Sequence, residues 1–135
     1  MLPEWILKRN EIEVSKMGLG GADLCDLKLN EAKLEGANMI DADLTSTYLI
    51  KADLKKANLT GADLTRTVMS EADLRGADFK NAEFNDTYLC GSNLKGALNL
   101  TCEQLELSIL DKGTILPDYI RLAWINDALF NCEEC

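Results

Sequence analysis

The chain has 135 residues, enough for one domain with a buried core, and carries 23 Asp and Glu against 14 Lys and Arg for a net charge of −9. It contains no His, which removes Ser-His-Asp and Cys-His nucleophilic pairs and His-held metals, and it has no glycine loop of the phosphate-cradling kind. An enzyme is therefore not expected, and neither is a cofactor or a bound metal.

Residues 1–15 mix charges among Leu2, Trp5, Ile6, Ile12 and Val14, so they read neither as a basic-then-apolar leader nor as a membrane segment. No run of 18 apolar residues occurs anywhere, and the expectation is a soluble, cytoplasmic protein. The segment is expected to cap the first coil of the repeat that follows, because an uncovered sheet edge pairs with other chains.

From Leu19 to Leu94 every fifth residue is Leu, Met or Phe, and Ala, Thr or Ser stands two residues before nearly all of them. A period of five fits neither the 3.6 of a helix nor the 2 of a strand, so neither element would keep these side chains on one face. A strict short repeat makes a solenoid instead. Ala beside each large centre follows from space, since a narrow tube lined by large residues leaves room only for a small neighbour in a close-packed interior. Thr replaces Ala at 47, 67 and 87, twenty residues apart, with Leu27 one step earlier, so four pentads close one turn. With stacked strands roughly 4.8 Å apart, sixteen pentads make about four coils and a rod on the order of 20 Å long.

The pentads GADLC, EAKLE, GANMI, DADLT, KADLK, KANLT, GADLT, EADLR, GADFK and NAEFN resemble the A(D/N)LXX pattern of the pentapeptide-repeat family, from about residue 16 to residue 116. The resemblance implies an all-β solenoid: a right-handed quadrilateral β-helix with the central residue and the small residue before it pointing inward and the other three facing solvent. It implies a wide range of functions, from topoisomerase-blocking DNA mimics to scaffolds without assigned activity. The domain reading is an N-terminal cap over 1–15, the β-helix over 16–97 and a C-terminal helical cap over 98–135.

Sorting outward residues by side of the coil separates three kinds of surface. One column reads Asp23, Asp43, Asp63, Glu83. Stacked like charges are mutually unfavourable. The column is either a strip for a cation or cationic partner, or a run of ordinary repeat acids stabilised at a corner by backbone N–H groups and neighbouring Lys. A second side carries Glu35, Lys55, Arg75 and Lys95 beside Asp53 and Asp73 and reads as self-neutralised. The Thr side differs, with Lys28, Tyr48, Val68, Tyr88 before the centres and Asn30, Ile50, Ser70, Cys90 after them. Either Tyr48, Ile50, Val68 and Tyr88 form a partner or dimer surface, or the side is covered by the N-terminal segment or expresses only cross-strand β propensity.

Past Leu94 the next centre, residue 99, is Asn, and the repeat leaves register. Thr101 to Gln104 has the form of a capping box opening a helix with Leu105, Leu107, Ile109 and Leu110. Gly113 breaks it, and Pro117 and Asp118 start a second predicted helix, whose stripe of Tyr119, Ile120, Ala123, Trp124, Asp127, Ala128 and Phe130 packs on the last coil or forms a dimer interface through Trp124 and Phe130. Five cysteines in a cytoplasmic chain are expected as free thiols, with one exception: antiparallel cap helices would bring Cys102 near Cys132 or Cys135. Cys132 and Cys135 have redox spacing but no following helix to lower a thiol pKa. Cys25 and Cys90 face outward on different sides and are not expected to pair.

The functional expectation is a non-catalytic protein-binding or scaffold protein with a protein partner of unknown identity, without direct nucleic-acid binding or membrane insertion, as a monomer or weak homodimer. The alternative is a DNA-mimic inhibitor of a topoisomerase such as gyrase. Charge distribution weighs against it: the net is −3 over residues 16–95, −1 before and −5 after, so much of the acid lies off the rod. A mimic of a duplex with one charge per roughly 1.7 Å should carry its acid along the rod.

Overall fold

The computed structural model describes residues 1–135. Its organising feature is a set of four parallel bridge ladders, each stepping by twenty residues: Asp23–Asp43–Asp63–Glu83, Lys28–Tyr48–Val68–Tyr88, Lys33–Asp53–Asp73–Asn93 and Asn38–Asn58–Asp78–Leu98. Four ladders at one twenty-residue step mean four sides per coil. All sixteen centres from Leu19 to Leu94 are buried, and so are the Ala, Thr or Ser residues before them from Ala32 onward. The core is thus one continuous column.

The corners explain why five residues suffice for a side. In every pentad the residue two after the centre, from Gly21 to Gly96, takes a positive φ between 52° and 71°. Only six of these are Gly, so the others, such as Lys51 and Arg66, hold a left-handed conformation that costs L-residues about 1 kcal/mol each. The sheet bonds on both sides of each corner over-determine the turn. Outward Asp and Asn residues add a side-chain bond: Asp43 Oδ1 accepts the Thr45 N–H at 3.0 Å, and Asn58 Oδ1 accepts that of Thr60 at 3.1 Å. This is the physical content of the D/N position, an Asx turn that closes the corner.

Helix α1, Glu4–Val14, covers the leading edge of the first coil. Pro3 precedes it and Glu4 lies in its first turn, both favourable at a helix start. It buries only Ile12, and its main work is polar. Glu13 accepts the Lys33 N–H at 2.7 Å, Arg9 donates to Asn30 O at 3.0 Å, Lys16 Nζ donates to Glu35 O at 2.9 Å, and Lys16 O accepts the Asn38 N–H at 2.8 Å. Edge groups that a preceding coil would satisfy are satisfied by this segment instead.

At the other end the register slips once. Asn99, at the expected centre, takes φ 59° and adds a left-handed turn, so the inward place passes to Leu100 and then to Leu105 and Leu110. Strand β1, Thr87–Tyr88, pairs in parallel with β2, Ser108–Ile109, now 21 residues on. Between them lies α2, Cys102–Glu106, opened by the Thr101–Gln104 capping box with both reciprocal bonds present. This helix is one turn long, shorter than its apolar residues predict, and Leu107 and Ile109 stand exposed beyond it. Gln104 also donates to Phe79 O and Ala82 O at 3.0 and 3.1 Å, supplying the last regular side with bonds that a helical turn cannot.

The second predicted cap helix is corrected by the structure: residues 120–134 form an antiparallel hairpin, β3 Ile120–Trp124 and β4 Phe130–Glu134. The reason is a period of two that the helical stripe masked. Ile120, Leu122 and Trp124 alternate with Arg121 and Ala123, and opposite them Phe130 and Cys132 alternate with Asn131 and Glu133. The exposed members are Arg121, Ala123, Asn131 and Glu133, as a half-buried sheet requires. Asn126 closes the turn, its Oδ1 accepting the N–H groups of Ala128 and Leu129 at 2.8 and 2.9 Å.

Candidate functional site

The Thr side is built from the inside out. Thr47, Thr67 and Thr87 are fully buried, and their hydroxyls donate to Leu24 O, Leu44 O and Leu64 O at 2.6, 2.7 and 2.6 Å. Each hydroxyl therefore ties its coil to the one before. Outside this clamp, Tyr48, Val68 and Tyr88 stand in adjacent bridges, and the pairing of Tyr88 with Ile109 carries the ladder one coil further than the repeat itself. Tyr48, Tyr88 and Ile109 are 43, 39 and 37% exposed, with Val68 half-buried between the tyrosines. Ile50 is half-buried, and its N–H donates to Asn30 Oδ1 at 3.0 Å.

Polar residues frame this ladder on both corners. Arg66 Nε lies 3.4 Å from Ser46 Oγ on one, and Lys51 lies 3.9 Å from Glu71 on the other. The Cys90 thiol is turned toward Ile109 O at 3.8 Å, and burial first and Asp111 second push its pKa up, so it is no activated nucleophile. Helix α1 meets Asp26, Leu27 and Lys28 at the start of this side and leaves Tyr48 and Tyr88 exposed.

Three of the four members of the acidic column, Asp23, Asp43 and Asp63, are turn acceptors. Asp23 Oδ1 accepts the Cys25 N–H at 3.1 Å, and Asp43 and Asp63 each accept both the N–H and the hydroxyl of the Thr two residues on. The Thr45 bond, then the Cys25 thiol, hold the Asp43 carboxyl below its usual range. The same contact pushes Cys25 up to about 12, by hydrogen bonding to Asp43 first and Asp23 second. Asp23, Cys25 and Asp43 offer atoms within 4.8 Å of one another, and both carboxylates already accept turn hydrogen bonds, from the Cys25 N–H and from Thr45.

The third side neutralises itself. Arg75 grips Asp73 through Nε and Nη2 at 2.9 and 2.7 Å, and Lys55 reaches Asp53 at 3.0 Å and Asp73 at 3.7 Å. The Arg75 bond is the main reason the Asp73 carboxyl lies low, and the Asp53 bond the main reason Lys55 lies high.

At the C-terminal end the structure bonds Cys102 to Cys132 with Cα atoms 5.6 Å apart, leaving Cys25, Cys90 and Cys135 as thiols. Trp124 and Phe130 meet edge to face at 5.3 Å between centroids and pack half-buried against the core. Sequence reasoning missed the Gln104 and Tyr119 anchors. The Tyr119 hydroxyl accepts the Leu100 N–H at 3.1 Å and donates to Ala97 O. A polar side chain inside an apolar stripe was the available signal for both.

A family model described as pentapeptide repeats matches residues 19–55 and 57–96 in 8 copies. That is more than half of the sequence, and the chain belongs to the pentapeptide-repeat family, whose members fold as right-handed quadrilateral β-helices. Among solved structures it is similar to a pentapeptide repeat protein from the Arabidopsis thaliana thylakoid lumen, at 28% identity over 79% of this chain and 69% of that one, TM-score 0.39. A pentapeptide repeat protein from Nostoc Pcc 7120 is 25% identical over 84% of this chain and 85% of that one, TM-score 0.49. QnrB1, a plasmid-mediated fluoroquinolone resistance protein, is 19% identical over 72% of this chain and 51% of that one, TM-score 0.50. No curated protein matches the chain.

Proposed function

We propose that this pentapeptide-repeat chain is a non-catalytic scaffold that binds a protein partner through the side carrying Tyr48, Ile50, Val68 and Tyr88. The observation that carries the reading is the exposed Tyr48–Val68–Tyr88 ladder, continued by Ile109 and rimmed by polar corners. Apolar centre, polar rim and tyrosine anchors are the anatomy of a protein interface. The Trp124–Phe130 end is the second surface, and no helix is long and apolar enough to cross a membrane. We take the cytoplasm as its compartment. The test is affinity capture with the wild type against a Tyr48→Lys, Tyr88→Lys double variant whose circular dichroism is unchanged. A partner kept by the first and lost by the second supports the reading, and equal retention removes this side from it.

The acid supplies the second reading, inhibition of a topoisomerase such as gyrase by DNA mimicry. Asp23, Asp43, Asp63 and Glu83 do stack along one side. The engagement of the three Asp residues in turns and the concentration of charge after residue 95 weigh against it. Loss of gyrase supercoiling at micromolar protein would reinstate it.

A further inference from the structure

The hairpin of β3 and β4 is attached to the solenoid in an unusual way. Within residues 116–135 every backbone hydrogen bond is local: Ile120 N–H to Pro117 O, Ile125 and Asn126 N–H to Leu129 O, Cys135 N–H to Tyr119 O, and the β3–β4 ladder. The coils are joined to it by Ile120, buried in the core at the start of β3, by the Tyr119 hydroxyl, by the exposed Lys112–Asp127 pair at 3.4 Å, by the half-buried undersides of Leu122, Trp124 and Phe130, and by the Cys102–Cys132 bond. An exposed ion pair contributes little. A lone two-stranded hairpin is marginal in water.

We propose that the Cys102–Cys132 disulfide is a redox latch, closed in this structure, that holds a separable hairpin over the end of the solenoid. The bond joins the hairpin's second strand to the first residue of α2, while the sixteen repeat centres lie outside the ring it closes and the ladders enter that ring only at Ser108, Ile109 and Ile115, ahead of the hairpin. Opening it therefore frees the hairpin without touching the repeat. The chemistry is exchange with a dithiol. One donor thiolate attacks the Sγ of Cys132, the less buried of the two cysteines, and the S–S bond breaks to release the Cys102 sulfur, which takes a proton. The second donor thiol then attacks the mixed disulfide, leaving the donor as a disulfide and Cys132 as a thiol.

Release has a consequence for shape. A groove at this end is walled by Phe84 and Leu107 on the coil side and by Tyr119, Glu134 and Cys135 on the hairpin side. The latch therefore controls whether the second wall exists. In a reducing compartment such as the cytoplasm the resting state is the open dithiol, and oxidation completes the groove by holding its second wall in place.

Hydrogen exchange read by mass spectrometry on the full chain, with and without dithiothreitol, tests the latch. Reduction is expected to speed exchange of the amides of residues 120–134 by roughly two to three orders of magnitude, the loop-closure term for a ring of 30-residue separation, and to leave residues 24–94 unchanged. Cys132→Ser should reproduce the reduced pattern without reductant. Equal hairpin protection in both states would overturn the proposal, and so would loss of protection throughout the repeat, which would make the bond a global staple. Five alkylatable thiols in protein equilibrated with an oxidised dithiol would overturn it as well, since the latch would then not close.

Discussion

Val68→Asp separates a binding role for the tyrosine ladder from a structural one, because the repeat itself supplies the reference. On the other sides nine of the twelve residues at this position are an Asp or Asn that accepts the N–H two residues on, at 3.0 Å for Asp63 and Thr65 and 3.1 Å for Asn58 and Thr60, with the Thr hydroxyl joining in. Tyr48, Val68 and Tyr88 forgo that bond. An Asp at 68 has Ser70 two residues on, the counterpart in the repeat of Thr45 and Thr65 and a hydroxyl residue like them. The gain is one hydrogen bond to a charged acceptor at a half-exposed site, about 1 kcal/mol after solvent competition. The loss is two cross-strand pairs, Val68 with Tyr48 and with Tyr88, at roughly 0.2 to 1 kcal/mol each. The two terms nearly cancel. Urea unfolding at 25 °C should therefore place the variant within about 1 kcal/mol of wild type, while retention of the captured partner falls. A variant that keeps its partner, or that loses more than about 2 kcal/mol, refutes the reasoning: the first outcome removes the ladder from binding and the second makes it part of the fold.

Thr67→Val keeps the shape of a fully buried side chain and removes only its bond to Leu44 O, so urea unfolding should show a loss of about 1 kcal/mol with an unchanged m-value; no loss would mean that the hydroxyl clamps nothing. Gly61→Ala and Gly36→Ala share a left-handed φ of 68° and 70°, but an added Cβ meets Asp41 Oδ1 at 2.2 Å only in the first. Thermal melts should show Gly36→Ala costing about 1 kcal/mol and Gly61→Ala more, by whatever turning Asp41 away requires; equal costs would deny the clash. Asp43 has a folded pKa below its unfolded one, so its contribution to stability is present above the ordinary carboxylate range and lost as pH falls through the lowered value. Asp43→Asn keeps the Oδ1 acceptor, as Asn38 and Asn58 do, and should lose less stability between neutral pH and pH 3 than wild type does; an unchanged acid limb would show that this carboxylate does not contribute to it.

The sequence was most legible where one constraint repeats and least where it ends. Sixteen centres, their small neighbours and the twenty-residue Thr step were readable because a tube admits one large and one small inward residue per side, whatever lies outside. The corners were not. Ten of the sixteen left-handed positions are not Gly, so no residue type marks them, and only the register of the centres reveals where φ turns positive. The C-terminal segment misled for a related reason. Tyr119, Ile120, Ala123, Trp124 and Phe130 satisfy a helical stripe, while Ile120, Leu122, Trp124, Phe130 and Cys132 satisfy two alternating strands around Asn126. One short stretch carries both periods, and what separates them is tertiary: the Cys102 bond and the Tyr119 anchor hold β4 and the start of β3 against the end of the solenoid. A helix would have to meet the same two anchors from one face. The site residues were legible in a different sense, as departures from a pattern. An outward position that mostly holds a turn-closing Asp or Asn elsewhere is informative when it holds Tyr, Val and Tyr in successive coils, because the residue's own turn bond is given up there; after Tyr48 the Ile50 N–H turns instead to Asn30 Oδ1 of the preceding coil. A pattern broken at the same place in three successive coils, at little net cost in stability, is where a binding role is best sought.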